Sequence, residues 1–178
     1  MRLPLAADAA CPMTRILAID PGYEQSAVVR LDGGRVTFAE TSPNETVVES
    51  LSIGVFSKSA DVFLVEQIAS YGMPVGREVF ETVHWAGRFY QAIDETMPRF
   101  LNGDSPFIAR LPRKTVVTQI CGSARAKDAN VRQALIDRYG GSKAEAVGTK
   151  AKPGPLYGVH GDQWAALALA VAWAEGAR

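Results

Sequence analysis

The sequence predicts an α/β fold with a central mixed β-sheet flanked by helices. Continuous apolar runs over 15–20 and 61–66 are typical of strands that are buried on both faces. Apolar residues recur at helical spacing over 74–97 and 128–139, which predicts amphipathic helices. A glycine-rich turn within 26–40 indicates a β-hairpin, and this adds antiparallel strands to the sheet.

Turn and cap residues divide the first half of the chain. Pro21-Gly22 ends the first strand, Asp32-Gly33-Gly34 is a hairpin turn, and Asn44 is suited to cap a helix. The strand that follows this crossover helix can lie parallel to the first strand, which we expect at the centre of the sheet. In order, the predicted elements are a strand over 15–20, hairpin strands over 26–31 and 35–40, a helix over 44–58 and a strand over 61–66.

The second half of the chain is mostly helical. The segment 140–157 is rich in Gly, Ala, Lys and Pro and has no periodicity, so we predict a mobile loop there. Residues 1–13 are expected to be a disordered extension of a single domain over 14–178. The predicted elements are a helix over 74–97, a short strand over 107–110, a short helix over 113–120, a helix over 128–139 and an alanine-rich helix over 162–175.

The helix predicted over 74–97 carries a wide apolar stripe. Phe80 and Phe89 widen this stripe, so we expect the helix to pack against both its own sheet and a second subunit. The stripe itself consists of Val79, Val83, Ala86, Tyr90, Ile93 and Met97.

Composition describes an ordinary globular chain of 178 residues with a net charge of zero. No apolar stretch is long enough for a membrane span, and we read no export signal. Cys11 and Cys121 are too few for a disulfide framework, so we expect the cytoplasm as the compartment. Residues 110–138 contain seven basic against two acidic residues, a local excess of +5. This segment predicts a phosphate-contacting face, although a solvated helix face is an alternative.

Three acidic residues stand at the ends of elements that are far apart in sequence. Asp20 ends the first strand, Glu66 ends the parallel strand, and Asp162 opens the last helix. Because ligands collect at the carboxyl ends of strands, we expect Asp20 and Glu66 to meet there. Two Mg²⁺ ions about 3.5–4 Å apart can hydrolyse a phosphodiester. The pattern predicts such a site, with Asp20 shared by both ions and His160 as a ligand or base.

Each of these residues also has an alternative interpretation. Asp20 before Pro-Gly is a common turn sequence, and Asp162 is suited to be the N-cap of the last helix. His160 lies beside a glycine-rich turn, where a structural role is more common. Glu66 after four apolar residues is harder to dismiss, because a buried carboxylate needs a partner. Together the four residues favour a functional site.

The chain resembles the RuvC-like Holliday junction resolvases, which belong to the RNase H-like nuclease superfamily. The resemblance spans about 15–174, with the motifs in the family's order. The family usually has an acid or His three residues before the last Asp. One register puts Asp162 at the first position and Ala165 at the second, and the other puts Val159 first and Asp162 second, so Asp162 is retained in both and His160 lies one residue off. The matching residues are Ile19-Asp-Pro-Gly22, Val65-Glu-Gln67, Lys114-Thr-Val-Val117, Gly122-Ser-Ala124, Lys127 and the alanine-rich helix after Asp162.

This resemblance implies an RNase H-like fold and a homodimer that nicks four-way DNA junctions with two Mg²⁺ or Mn²⁺ ions in each site. The helix after Glu66 would form the dimer interface, and Tyr71 would replace the Phe with which the family stacks on a base. A phage-encoded variant is a compatible setting, and any partner helicase is unknown. The residues predicted to contact DNA are Arg113, Lys114, Arg125, Lys127 and Tyr71.

Three other functions are weighed against a junction resolvase. A related nuclease could act on RNA or other branched DNA with the same residues. A junction-binding protein without catalysis is a second alternative, since the last acid is altered. An actin-like or sugar-kinase ATPase also begins with a strand and Asp-x-Gly, but it needs a second domain for which 178 residues leave no room.

Overall fold

The computed structural model describes residues 14–56, 60–70, 72, 74–96 and 107–177. These form a five-stranded sheet with helices on both faces. The elements are β1 (Arg15–Asp20), β2 (Gln25–Asp32), β3 (Arg35–Pro43), α1 (Asn44–Ser52), β4 (Val62–Gln67), α2 (Arg77–Thr96), β5 (Phe107–Pro112), α3 (Arg113–Cys121), α4 (Asp128–Tyr139), α5 (Lys143–Ala146) and α6 (Gln163–Ala174). The predicted extension over 1–13 lies outside the described residues.

The strand order of the sheet is β3-β2-β1-β4-β5, with β1 at the centre. Strand β1 is antiparallel to β2 and parallel to β4, and β4 is parallel to β5. The sheet is therefore mixed, which confirms the predicted fold class. The central place of β1 means that its last residue, Asp20, has strands on both sides.

Two apolar cores lie on opposite faces of the sheet. Along β1, Ile16 and Ala18 face the core formed with α3, α4 and α6, whereas Leu17 and Ile19 face the core formed with α1 and α2. This double burial explains the continuous apolar run in β1. Helix α6 is buried along most of its length, because its small alanines allow it to approach the sheet closely.

Helix α2 is present, and its core face overlaps the predicted stripe only in part: Phe89 and Ile93 are buried as expected, and Trp85 and Ala92 were not predicted. The residues that it buries are Trp85, Phe89, Ala92 and Ile93, whereas Val83 is 48 % exposed. Trp85 and Phe89 are one helical turn apart and offer more apolar area than valines, so they take the core position. Met97 of the predicted stripe lies outside the described residues.

Two further boundaries differ from the prediction. Helix α1 ends at Ser52 rather than near residue 58. The segment 140–157 contains the short helix α5, and both Ala146 and Leu156 are fully buried. The main-chain N–H of Leu156 donates to the oxygen of Ala146 at 2.7 Å. The segment is therefore packed against the core, and its mobility in solution stays a prediction.

None of the helices in the described part of the chain is long and apolar enough to cross a membrane.

Candidate active site

The carboxyl ends of β1, β4 and β5 lie side by side at one edge of the sheet. Ile19 pairs with Val65 in the parallel register of β1 and β4, so the next residues, Asp20 and Glu66, are neighbours across the two strands. Glu66 in turn pairs with Leu111 of β5. The sheet thus brings together the two acids that the sequence predicted to meet.

Desolvation is the main electrostatic feature of this pair of acids. Glu66 is only 4 % exposed, and burial raises its pKa. Burial, followed by repulsion from the Glu66 carboxylate, raises the pKa of Asp20 to about 8. Each carboxylate resists ionisation because low-dielectric surroundings and a like charge both disfavour the charged form. A bound cation would stabilise the charged form of both carboxylates.

Asp162 belongs to the same electrostatic environment. Its charge also raises the pKa of Asp20, so the turn before α6 places it near the strand ends. Asp162 occupies the N-cap position of α6, but its side chain makes no capping hydrogen bond. Its exposed carboxylate is therefore not used for capping and remains available to a ligand.

His160 has a local hydrogen bond instead of a contact with the acids. Its ring Nδ1 lies 2.7 Å from the main-chain oxygen of Gly158, which accepts a hydrogen bond from the ring. The main-chain N–H of His160 donates to Oε1 of Gln163 at 3.1 Å. The exposed ring is thus held within its own turn, and its predicted role as a ligand or base stays a prediction.

Arg113 reaches the acids from the start of α3. Its Nη1 lies 3.5 Å from Oε2 of Glu66, and its Nη2 lies 2.5 Å from Oδ1 of Asp128 at the start of α4. The positive charge of Arg113 lowers the pKa values of both Asp20 and Glu66, against the larger effect of burial. Arg113 is therefore a counter-ion of the acid pair.

From the sequence, Arg113 was predicted only to bind DNA, and no role was predicted for Asp128. The position of Arg113 in the sequence could have indicated this contact, because Arg113 directly follows β5, the strand that pairs with β4 beside Glu66. Asp128 had a weaker signal as one of two acids within the basic segment. Its charge raises the pKa values of Asp20 and Glu66, so it also belongs to this site.

A buried hydrogen-bond network fixes the turn that follows Asp20. The hydroxyl of Ser26 donates to Oδ1 of Asn44 at 2.6 Å and accepts from the N–H of Gly22 at 3.1 Å. Nδ2 of Asn44 donates to the oxygen of Gly22 at 3.0 Å. A side chain at Gly22 would clash with the main-chain oxygen of Gln25. Asn44, predicted as a helix cap, instead anchors this turn.

The predicted DNA-contacting residues are spread over several surfaces. Lys114, Arg125 and Lys127 are exposed. Lys114 lines a shallow groove with Thr115 and Thr118, beside the last turn of the chain, and does not share the acid contacts of Arg113. Tyr71 lies outside the described residues.

Part of the basic segment has a structural use. Arg138 donates to Oε1 of Glu175 at 2.7 Å and to the oxygen of Ile120 at 3.0 Å, which ties α4 to α3 and to the end of α6. Arg132 lies over the ring of Trp164, with 4.8 Å between its Cζ and the ring centroid. The local excess of +5 therefore overstates the charge that is free to contact phosphate.

The side chains of this site are of the type that binds Mg²⁺, but they are not grouped closely enough to bind it as they stand. Asp20, Glu66 and Asp162 offer carboxylate oxygens, the ligands that Mg²⁺ prefers. Within the described residues, no three His, Cys, Asp or Glu side chains are close enough together to hold a metal ion. Ion binding would therefore require these side chains to rearrange.

Comparison with solved structures identifies the fold. Thermus thermophilus RuvC matches with a TM-score of 0.59 at 14 % identity, over 90 % of this chain and 93 % of that chain. The chain has the RNase H-like fold of RuvC. T. thermophilus RuvC in complex with a Holliday junction substrate matches with a TM-score of 0.61 at 15 % identity, over 93 % and 95 % of the two chains.

The yeast mitochondrial Holliday junction resolvase matches more weakly, with a TM-score of 0.50 at 13 % identity, over 73 % of this chain and 66 % of that chain. No protein-family model and no curated protein sequence matches the chain. The similarity to RuvC thus lies in the fold, while the sequence identity is low.

Proposed function

We propose that this protein is a structure-selective endodeoxyribonuclease that resolves four-way DNA junctions by metal-dependent hydrolysis. The observation that carries the proposal is the convergence of Asp20 and Glu66 at the carboxyl edge of the sheet, with the charge of Asp162 acting on Asp20. A structural role would not require a buried carboxylate, Glu66, beside the half-buried Asp20, because such a pair is costly without a cation. The RuvC fold agrees with this function.

In this proposal Asp20, Glu66 and Asp162 hold two Mg²⁺ or Mn²⁺ ions. When bound, the ions would activate a water and stabilise the leaving oxygen of the phosphodiester. The buried network around Asn44 and Ser26 holds the turn after Asp20 in place. The exposed basic residues Lys114, Arg125 and Lys127 would contact backbone phosphates and so orient the strand without reading its sequence.

A substrate comparison tests this function. We expect the wild-type protein with Mg²⁺ to cut a synthetic four-way junction with paired nicks and to leave a matched linear duplex intact. Gel analysis of end-labelled strands measures both products. Preferential cutting of an RNA–DNA hybrid or of a three-way branch would favour a related nuclease, and tight junction binding without cutting would favour a binding protein.

We also propose that the protein acts as a homodimer through α2. Phe80 is 65 % exposed and Val83 is 48 % exposed on the same side of this helix, and Val75 just before the helix is also exposed. Large apolar side chains grouped on one surface are typical of an interface. Two paired active sites are what simultaneous nicking of two strands requires.

Light scattering tests the dimer. At micromolar concentration we expect twice the chain mass for the wild type and a monomer for Phe80→Glu. Ile53→Glu is the matched control, because Ile53 is equally exposed but lies just after α1. A monomeric wild type would contradict the proposal, as would a Phe80→Glu variant that remains dimeric.

A further inference from the structure

We propose that Arg113 is a built-in counter-ion of the carboxylate site, and that a divalent cation must displace its guanidinium from Glu66 in order to bind. This inference rests on the proposed function, because it concerns the same acids. It assigns to Arg113 control over metal affinity, in addition to the DNA contact that the sequence suggested.

The position of Arg113 supports this role. The guanidinium spans two acids, with Nη1 at 3.5 Å from Glu66 and Nη2 at 2.5 Å from Asp128. It therefore stands where a cation bound to Glu66 would experience its charge at close range. The Arg113 side chain is 39 % exposed, so it is not locked in by surrounding protein.

Charge compensation explains why the Arg113 guanidinium and a divalent metal ion would not bind Glu66 at the same time. Glu66 is almost completely buried, and a buried carboxylate requires a nearby positive charge. Arg113 supplies one unit of charge, whereas a metal ion supplies two units and bonds directly to oxygen. Two cations beside one carboxylate repel each other strongly in a poorly hydrated site. The Arg113 contact with Glu66 and a metal bond to Glu66 are therefore expected to be mutually exclusive.

The two contacts of Arg113 differ in length, and this difference indicates which contact a metal ion would break. The bond to Glu66 is long, at 3.5 Å, and the bond to Asp128 is short, at 2.5 Å. The Asp128 side chain is 85 % exposed and lies on the solvent side of the site. Opening the longer bond would leave the guanidinium attached to Asp128, at the start of α4 and beside Lys127.

Mg²⁺ binding without DNA tests the inference. Calorimetry should give a Mg²⁺ dissociation constant about tenfold lower for Arg113→Gln than for the wild type, because a repelling charge has been removed. Arg110→Gln is the matched control. Arg110 is a nearby cation that lies over the ring of Tyr90, and its removal should leave Mg²⁺ affinity unchanged. Equal or weaker binding by Arg113→Gln would overturn the inference.

A second measurement uses the wild-type protein and does not depend on the folding of a variant. The side-chain Nε–H NMR signal of Arg113 should shift during a Mg²⁺ titration, while that of Arg110 should stay in place. An Arg113 signal that does not respond to saturating Mg²⁺, or wild-type protein that binds no Mg²⁺, would overturn the inference. Junction cutting is measured separately. A protein that binds Mg²⁺ but does not cut junctions would count against the proposed function, whereas the Mg²⁺ titrations would still test the role of Arg113.

Discussion

Asp20→Asn is expected to reduce Mg²⁺-dependent cutting of a four-way junction on the order of a thousandfold or more, while junction binding is retained. The amide keeps the shape of the side chain but lacks the charge and one of the oxygen ligands. The charges of Glu66 and Asp162 both act on Asp20, and in the proposed site Asp20 is shared by the two ions, so its loss would affect both. Single-turnover cutting of a labelled junction measures the rate, and gel shift in Ca²⁺ measures binding.

Asp32→Asn is the matched control for this experiment. Asp32 pairs with Arg15 at the start of β1, so it lies at the opposite edge of the sheet from Asp20. The same chemical change there should leave the cutting rate within about twofold of the wild type. Glu66→Gln should resemble Asp20→Asn. Unchanged Mg²⁺-dependent cutting by Asp20→Asn would rule out the nuclease site as described.

The same substitution should stabilise the metal-free protein at high pH. The pKa of Asp20 is about 8 in the folded protein, against an ordinary value of 3.8. The folded state therefore binds this proton more tightly than the unfolded state, and the resulting stability is present below about pH 4 and lost as pH rises through 8. The difference amounts to several kcal/mol at most, roughly 1.4 kcal/mol for each pH unit. Asparagine at this position never ionises.

Denaturant unfolding in EDTA at pH 5, 7 and 9 measures this effect. The free energy of unfolding should fall with pH more steeply for the wild type than for Asp20→Asn, so the variant should be the more stable protein at pH 9. Mg²⁺ should restore stability to the wild type and have little effect on the variant. A stability difference that is the same at all three pH values would contradict the burial and ionisation described for Asp20.

The positions of Asp20 and Glu66 were predictable because the local apolar pattern and the connection between the two strands indicate the same arrangement. Each acid ends a continuous apolar run, and a crossover helix makes the two strands parallel, so both acids reach the same edge. The central place of β1 follows from the same pattern. The sequence also identified Asp162, although the absence of a capping hydrogen bond became visible only in the structure.

Features that depend on contacts between distant segments were not predictable in this way. Helical spacing alone allowed two phases for α2, and packing of Trp85 and Phe89 against α1 and the sheet selected the one observed. The bridge from Arg113 to Glu66 and Asp128 joins three elements whose relative positions no local pattern encodes. Asn is a common helix N-cap residue, and this local preference led to the predicted cap. The side chain of Asn44 instead accepts a hydrogen bond from Ser26, which is a tertiary contact.

In the proposed function, Asp20, Glu66 and Asp162 together bind the catalytic metal. A crystal structure of the protein soaked in Mn²⁺, with anomalous scattering, tests this arrangement. We predict anomalous peaks within bonding distance of the carboxylates of Asp20, Glu66 and Asp162, with the guanidinium of Arg113 displaced from Glu66. Peaks only at other positions, or no peak at this edge of the sheet at millimolar Mn²⁺, would contradict the arrangement.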